Sequence, residues 1–126
     1  MKALIITDGS ESIKNIAEII SGSLSGFKVK ICAACEFDGT DLLAADVFFI
    51  GCENASPSSF KYLEDMLSHV NLALRNCGIF TVKEKSIKYL TKILSSCEAK
   101  MGEPLFAGDA EKLKKAAVNK WLKNIL

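Results

Sequence analysis

Residues 2–20 read KALIITDGSESIKNIAEII. Ala3 to Thr7 is a short, mainly apolar run, the pattern of a strand buried on both faces. After it, Ile13, Ile16, Ala17, Ile20 and Leu24 recur at helical spacing and fall on one helix face. Between the two lies Thr7-Asp8-Gly9-Ser10-Glu11-Ser12-Ile13, a loop of small and polar residues. A strand that turns through such a loop into a helix gathers free backbone N–H groups and the positive end of the helix dipole at one point. That arrangement favours an anion. This loop also carries two carboxylates, Asp8 and Glu11.

The same alternation runs along the rest of the chain. Val47 to Gly51, Gly78 to Val82 and Leu105 to Gly108 are further short apolar runs. Helical spacing links Phe60, Leu63, Leu67, Val70 and Leu74, then Ile87, Leu90, Thr91 and Leu94, then Leu113, Ala117, Trp121 and Ile125. In FKVKICA, Phe27, Val29, Ile31 and Ala33 alternate with Lys28, Lys30 and Cys32. One wet face with lysines reads as an edge strand. Ser56 is expected as an N-cap with Pro57 at the first helical position. Asp109 is expected to cap the last helix, with Glu111 in its first turn.

Strands that alternate with helices imply a mostly parallel sheet with helices on both faces. With the second strand at the edge, the order 2-1-3-4-5 fits best. Its ligand crevice then lies beside the carboxyl ends of the first and third strands. The loops there are Asp8 to Ile13 and Cys52 to Ser56.

The chain has 126 residues, 49% hydrophobic and 25% charged, which is enough for a single domain spanning 1–126 with its own core. A formal net charge of +1 argues against a nucleic-acid binder. No apolar run is long enough to span a bilayer. Ala3 to Ile6 is too short for the apolar part of a signal peptide. The cysteines number five, an odd and scattered set that suits a reducing, cytoplasmic setting.

At this point the sequence resembles the short-chain flavodoxins. KALIITDGSESIKNIAEIISGSL is similar to the family's opening strand, phosphate loop of the type [ST]-x-T-G-x-T, and first helix. TDLLAADVFFIGCENASP is similar to the segment that leads out of the third strand, and NCGIFTV and AKMGEPLFAG to the last two strands. The resemblance implies a flavodoxin-like α/β three-layer sandwich with a five-stranded parallel sheet of order 2-1-3-4-5. It also implies FMN as cofactor and electron transfer as function, with the first loop on the phosphate and the loops after the third and fourth strands flanking the isoalloxazine ring. Carried onto this chain, the phosphate loop is Asp8, Gly9, Ser10, Glu11, Ser12 and Ile13. The ring would lie near Cys52, Glu53, Asn54 and Ala55.

Gly9 and Ser10 match the small and hydroxyl positions, and Ser12 the polar one. Glu11 stands where the family has glycine, and Ile13 where it has threonine. Two like charges about 4 Å apart repel by roughly 1 kcal/mol in water. A hydroxyl lost from a charged oxygen forgoes about 1.5–3 kcal/mol. Glu11 is therefore the expected discriminating position, and Glu11→Gly the change expected to tighten FMN. Residues 52–56 and 83–85 hold no aromatic on which a flavin could stack, and Phe37 is the only loop aromatic nearby. These departures leave an alternative open, a flavin-free flavodoxin-like domain that acts in protein interaction or binds another small anion.

Asp8, Glu11, Glu36, Asp38 and Glu53 all fall in loops at the expected ligand edge, where they would steer a basic partner such as a redox protein. A receiver-like phosphoacceptor site would pair Asp8 with Lys83, but it needs an aspartate after the third strand, where Gly51-Cys52 stands. Cys32 and Cys35 form a CxxC, yet a reactive dithiol wants a helix N-terminus and a zinc site needs about four ligands. His69, the only histidine, falls late on a helix with no acid or nucleophile placed beside it. Nothing supports a hydrolase or transferase. The lysines at 112, 114, 115, 120 and 123 read as the wet face of the last helix.

Overall fold

The computed structural model describes residues 1–73, 75–108 and 112–126. Leu74, Asp109 and Glu111 lie outside the described residues. The elements run β1 (Lys2–Thr7), α1 (Glu11–Ser23), β2 (Lys28–Ala33), α2 (Gly39–Ala44), β3 (Val47–Gly51), α3 (Lys61–His69), β4 (Asn76–Thr81), α4 (Glu84–Ser95), β5 (Lys100–Met101), β6 (Leu105–Phe106) and α5 (Lys115–Ile125). A 3-10 turn, Ser58–Phe60, leads into α3.

All strand pairings are parallel, in the order β2-β1-β3-β4-β5, with β6 also on β4. The expected order therefore stands, with one difference at the far edge. The expected last strand, Leu105 to Gly108, shortens to β6, and a further short strand, β5, precedes it across Gly102, Glu103 and Pro104. Proline has no N–H to give to the ladder, so pairing cannot run through it.

Alternation along the buried strands sorts side chains into two cores. Leu4, Ile6, Phe48, Ile50, Cys77 and Ile79 meet Leu42 of α2, Leu63 and Leu67 of α3, and Leu90 and Leu94 of α4. Ala3, Ile5, Val47, Phe49 and Phe80 meet Ile13, Ile16, Ala17 and Ile20 of α1, and Val118, Trp121, Leu122 and Ile125 of α5. Each fully buried apolar side chain contributes about 1.5–3 kcal/mol relative to exposure. The Tyr89 hydroxyl donates to Glu64 Oε1 and ties α4 to α3. Burial, then this carboxylate, holds the phenol well above its usual pKa.

Several local expectations need correction. Pro57 is not the first helical residue. It is extended at φ −65 and ψ 145 and precedes the 3-10 turn, while Ser56 is left-handed at φ 51. α3 ends at His69, so Val70 is its extended cap rather than part of its face. α5 starts at Lys115, which leaves Leu113 outside the helix, and Val118 rather than Ala117 is buried. On α4, Thr91 is exposed and Ser86 takes the inward position. On β2, Ile31 is 40% exposed, and Cys32 packs against the α2–α3–α4 core. An edge strand bordered by one neighbour cannot bury either face fully, which blurs its alternation.

Candidate functional site

β1, β3 and β4 end side by side, and their C-terminal loops form one edge of the molecule. Gly9 takes φ 85 there, a left-handed conformation that costs glycine little. This turn folds Asp8 back over its own loop. Asp8 Oδ1 accepts from the Ser10 N–H at 2.9 Å and from the Ser10 hydroxyl at 2.6 Å. Asp8 Oδ2 accepts from the Glu53 N–H at 2.8 Å. The Gly9 N–H faces Thr7 Oγ1 at 3.3 Å. Ser10 is the N-cap residue of α1, but its side chain caps nothing because it is turned to Asp8.

The lacing continues to β4. The buried Thr81 hydroxyl donates to the Cys52 carbonyl at 2.7 Å, and the Ser86 hydroxyl donates to the Glu53 carbonyl at 3.0 Å. Lys83 Nζ donates to Asn54 Oδ1 at 2.7 Å. Asn54, Ala55, Lys83, Glu84, Lys85 and Ser86 line a shallow open depression at the start of α4.

The structure thus joins Asp8, Ser10 and Glu53 directly and brings Asn54 to Lys83. It separates others. Ile13 is fully buried among the α1–α5 core residues and does not face the loop. Glu11 begins α1 with its residue exposed. Cys52 is fully buried. Burial pushes its thiol up to about 12, and the Asp8 carboxylate beside it adds to that shift. Asn54 and Ala55 are exposed. The Ser12 hydroxyl oxygen is buried and has no hydrogen-bond partner among the described residues.

Two of the aromatics near this edge are buried, whereas Phe106, which ends β6 in register with Thr81 of β4, is 46% exposed. Phe37 is buried and meets the Tyr62 ring edge-on, with centroids 5.3 Å apart. Phe60 is fully buried. The acidic edge is mixed in sign, since Lys83 and Lys85 line the depression with Glu84, and Asp38 is engaged in capping Thr40 N–H at 2.9 Å. His69 is exposed, 3.9 Å from Asp65 on its own helix. Burial raises the Cys32 thiol to about 11, and Cys35 is exposed in the following turn. Among the described residues, no three His, Cys, Asp or Glu side chains come together as a metal site, and no helix is long and apolar enough to cross a membrane.

Sequence reasoning missed Thr81 and Ser86. Each is a small polar residue inside an apolar pattern, a signal that a hydroxyl has a buried partner. The partner carbonyls are set by the fold, not by local sequence.

No family model matches the chain, and no curated protein matches it in sequence. Solved structures do. Oxidised flavodoxin 2 from Bacillus cereus superposes with a TM-score of 0.80 at 17% identity, covering 99% of this chain and 97% of that one. A flavodoxin from Streptococcus pneumoniae gives 0.78 at 16% identity, over 98% and 96% of the two chains. A short-chain flavodoxin associated with a bacterial microcompartment gives 0.73 at 14%, over 99% and 96%. The protein has a flavodoxin-like fold.

Proposed function

We propose that this chain is a flavodoxin-like domain that acts through protein contacts at its loop edge and holds no FMN there. The observation that carries this reading is the engagement of Asp8. Its carboxylate takes the N–H and hydroxyl of Ser10 and the N–H of Glu53. A phosphate arriving at the start of α1 would meet a fixed negative charge already bonded to two of the loop's donors. The loops after β3 and β4 add no stacking partner, because residues 52–56 and 83–85 carry no aromatic. Exposed Glu11, Glu36 and Asp38, with Lys83 and Lys85 close by, give the edge a patterned charge. Such a surface selects a protein partner through charge complementarity.

The test is a titration with FMN, followed by quenching of flavin fluorescence. The expected result is no saturable quenching at micromolar FMN. Saturable binding in that range overturns the reading.

A second reading, an FMN-binding electron carrier with a redox partner at the same edge, is favoured by one observation. The Ser12 hydroxyl oxygen is buried without a partner among the described residues, in the first turn of α1, and helix N-termini favour phosphate. In that case Gly9 to Ile13 would supply backbone donors to the phosphate, and Cys52 to Ala55 would border the ring. The flavin itself would supply the redox chemistry. The same titration separates the two readings.

A further inference from the structure

We infer that Asp8 is the residue that closes this crevice to phosphate-bearing ligands, by standing as an internal anion on the loop's own donors. The inference rests on the reading that the edge holds no FMN, and it changes which residue is decisive. From sequence, Glu11 is the expected obstacle. In the structure Glu11 is exposed at the first position of α1, with a long flexible side chain that can swing into water. Asp8 has no such freedom. Three hydrogen bonds hold it, one of them to a residue 45 positions away. Both of its oxygens are committed, and its charge is half-buried at the end of β1.

Two consequences follow for an incoming anion. It loses the Ser10 N–H and hydroxyl, which point at Asp8. It also meets a like charge at contact distance in a partly shielded loop, where repulsion exceeds its value in water. The bond to Glu53 adds a mechanical element. It holds the loop after β3 against the loop after β1, so the two walls of the crevice cannot part without breaking it.

The experiment compares the wild-type protein with Asp8→Ser, Asp8→Asn and Glu11→Gly. Inorganic phosphate is the first probe, read from amide NMR shifts of Glu11, Ser12 and Ile13. FMN is the second, read from flavin fluorescence. Circular dichroism and the dispersion of the NMR spectrum report folding. Asp8→Ser is expected to bind phosphate at least about tenfold more tightly than wild type, the factor expected from removing one charge at close range. Asp8→Asn keeps side-chain shape and an acceptor for Ser10, so it carries the test if the serine variant does not fold, and its gain should have the same sign. Glu11→Gly should give the smaller gain.

A folded Asp8 variant that binds phosphate no better than wild type overturns the inference. So does a larger gain from Glu11→Gly. If wild type binds FMN, the reading above falls, while the ratio of phosphate affinities still decides the role of Asp8.

Discussion

The Thr81 hydroxyl donates to the Cys52 carbonyl at 2.7 Å, with both residues fully buried. It joins the end of β4 to the end of β3, and Thr81 Oγ1 itself accepts from the Lys83 N–H at 3.2 Å. Thr81→Val keeps the shape and removes the hydroxyl. It leaves a buried carbonyl without its donor, an expected loss of about 1–3 kcal/mol. Urea unfolding should show a lower midpoint at an unchanged slope. An unchanged midpoint would mean that the two strand ends are held by packing alone.

Gly51 and Gly22 should respond to alanine in opposite directions. A Cβ at Gly51 would lie 2.3 Å from Phe80 Cε2, a buried ring with no room to retreat. Overpacking of that kind costs about 1–3 kcal/mol. A Cβ at Gly22 meets nothing within 4 Å and lies inside α1. Alanine there should stabilise by roughly 0.5–1 kcal/mol, because glycine loses more backbone entropy in a helix. Thermal melts of the two variants check the signs, and a stabilised Gly51→Ala would refute the packing at Phe80.

Thiol labelling should follow burial. Cys35 is exposed, whereas Cys52, Cys77 and Cys97 are fully buried. With iodoacetamide near about pH 8, Cys35 should react first, and the three buried thiols only after denaturation. Peptide mass mapping reads the order. Early modification of Cys52 would mean that the loop edge opens readily.

Stability should fall at alkaline pH for the same reason. Burial raises the Cys52 thiol from 9.0 to about 12 and the Cys32 thiol from 9.0 to about 11. A pKa raised by folding means that the folded state holds the proton more firmly than the unfolded one. The stabilisation is complete below pH 9.0 and is lost as pH climbs towards about 11 for Cys32 and about 12 for Cys52. Tm measured against pH should decline through this window, less steeply in Cys52→Ala. Equal slopes in the two proteins would remove Cys52 from the account.

Much of the fold was legible because its signals are local and periodic. The run VFFIG is β3 from Val47 to Gly51, and Ile13, Ile16, Ala17 and Ile20 give the buried face of α1. The lysines of β2 marked the edge strand. Errors arose where a neighbour, not the local pattern, sets the outcome. β5 at Lys100–Met101 precedes the expected last run, and Pro104 keeps it apart from β6. Ser86 turns inward because the Glu53 carbonyl is there to receive it. The start of α5 moved from the capping position expected at Asp109 to Lys115.

The site divides in the same way. Sequence alone determined that a small-residue loop joins β1 to α1 and that the loops after β1 and β3 share an edge. Periodicity and residue chemistry are properties of neighbouring positions, so a linear reading captures them. Only the tertiary structure decided that Ile13 belongs to the core and that Glu11 faces water. It alone showed that Asp8 spends its carboxylate on Ser10 and on Glu53. A hydrogen bond across 45 positions depends on where two strands end relative to each other, and that follows from sheet order and register rather than from either loop.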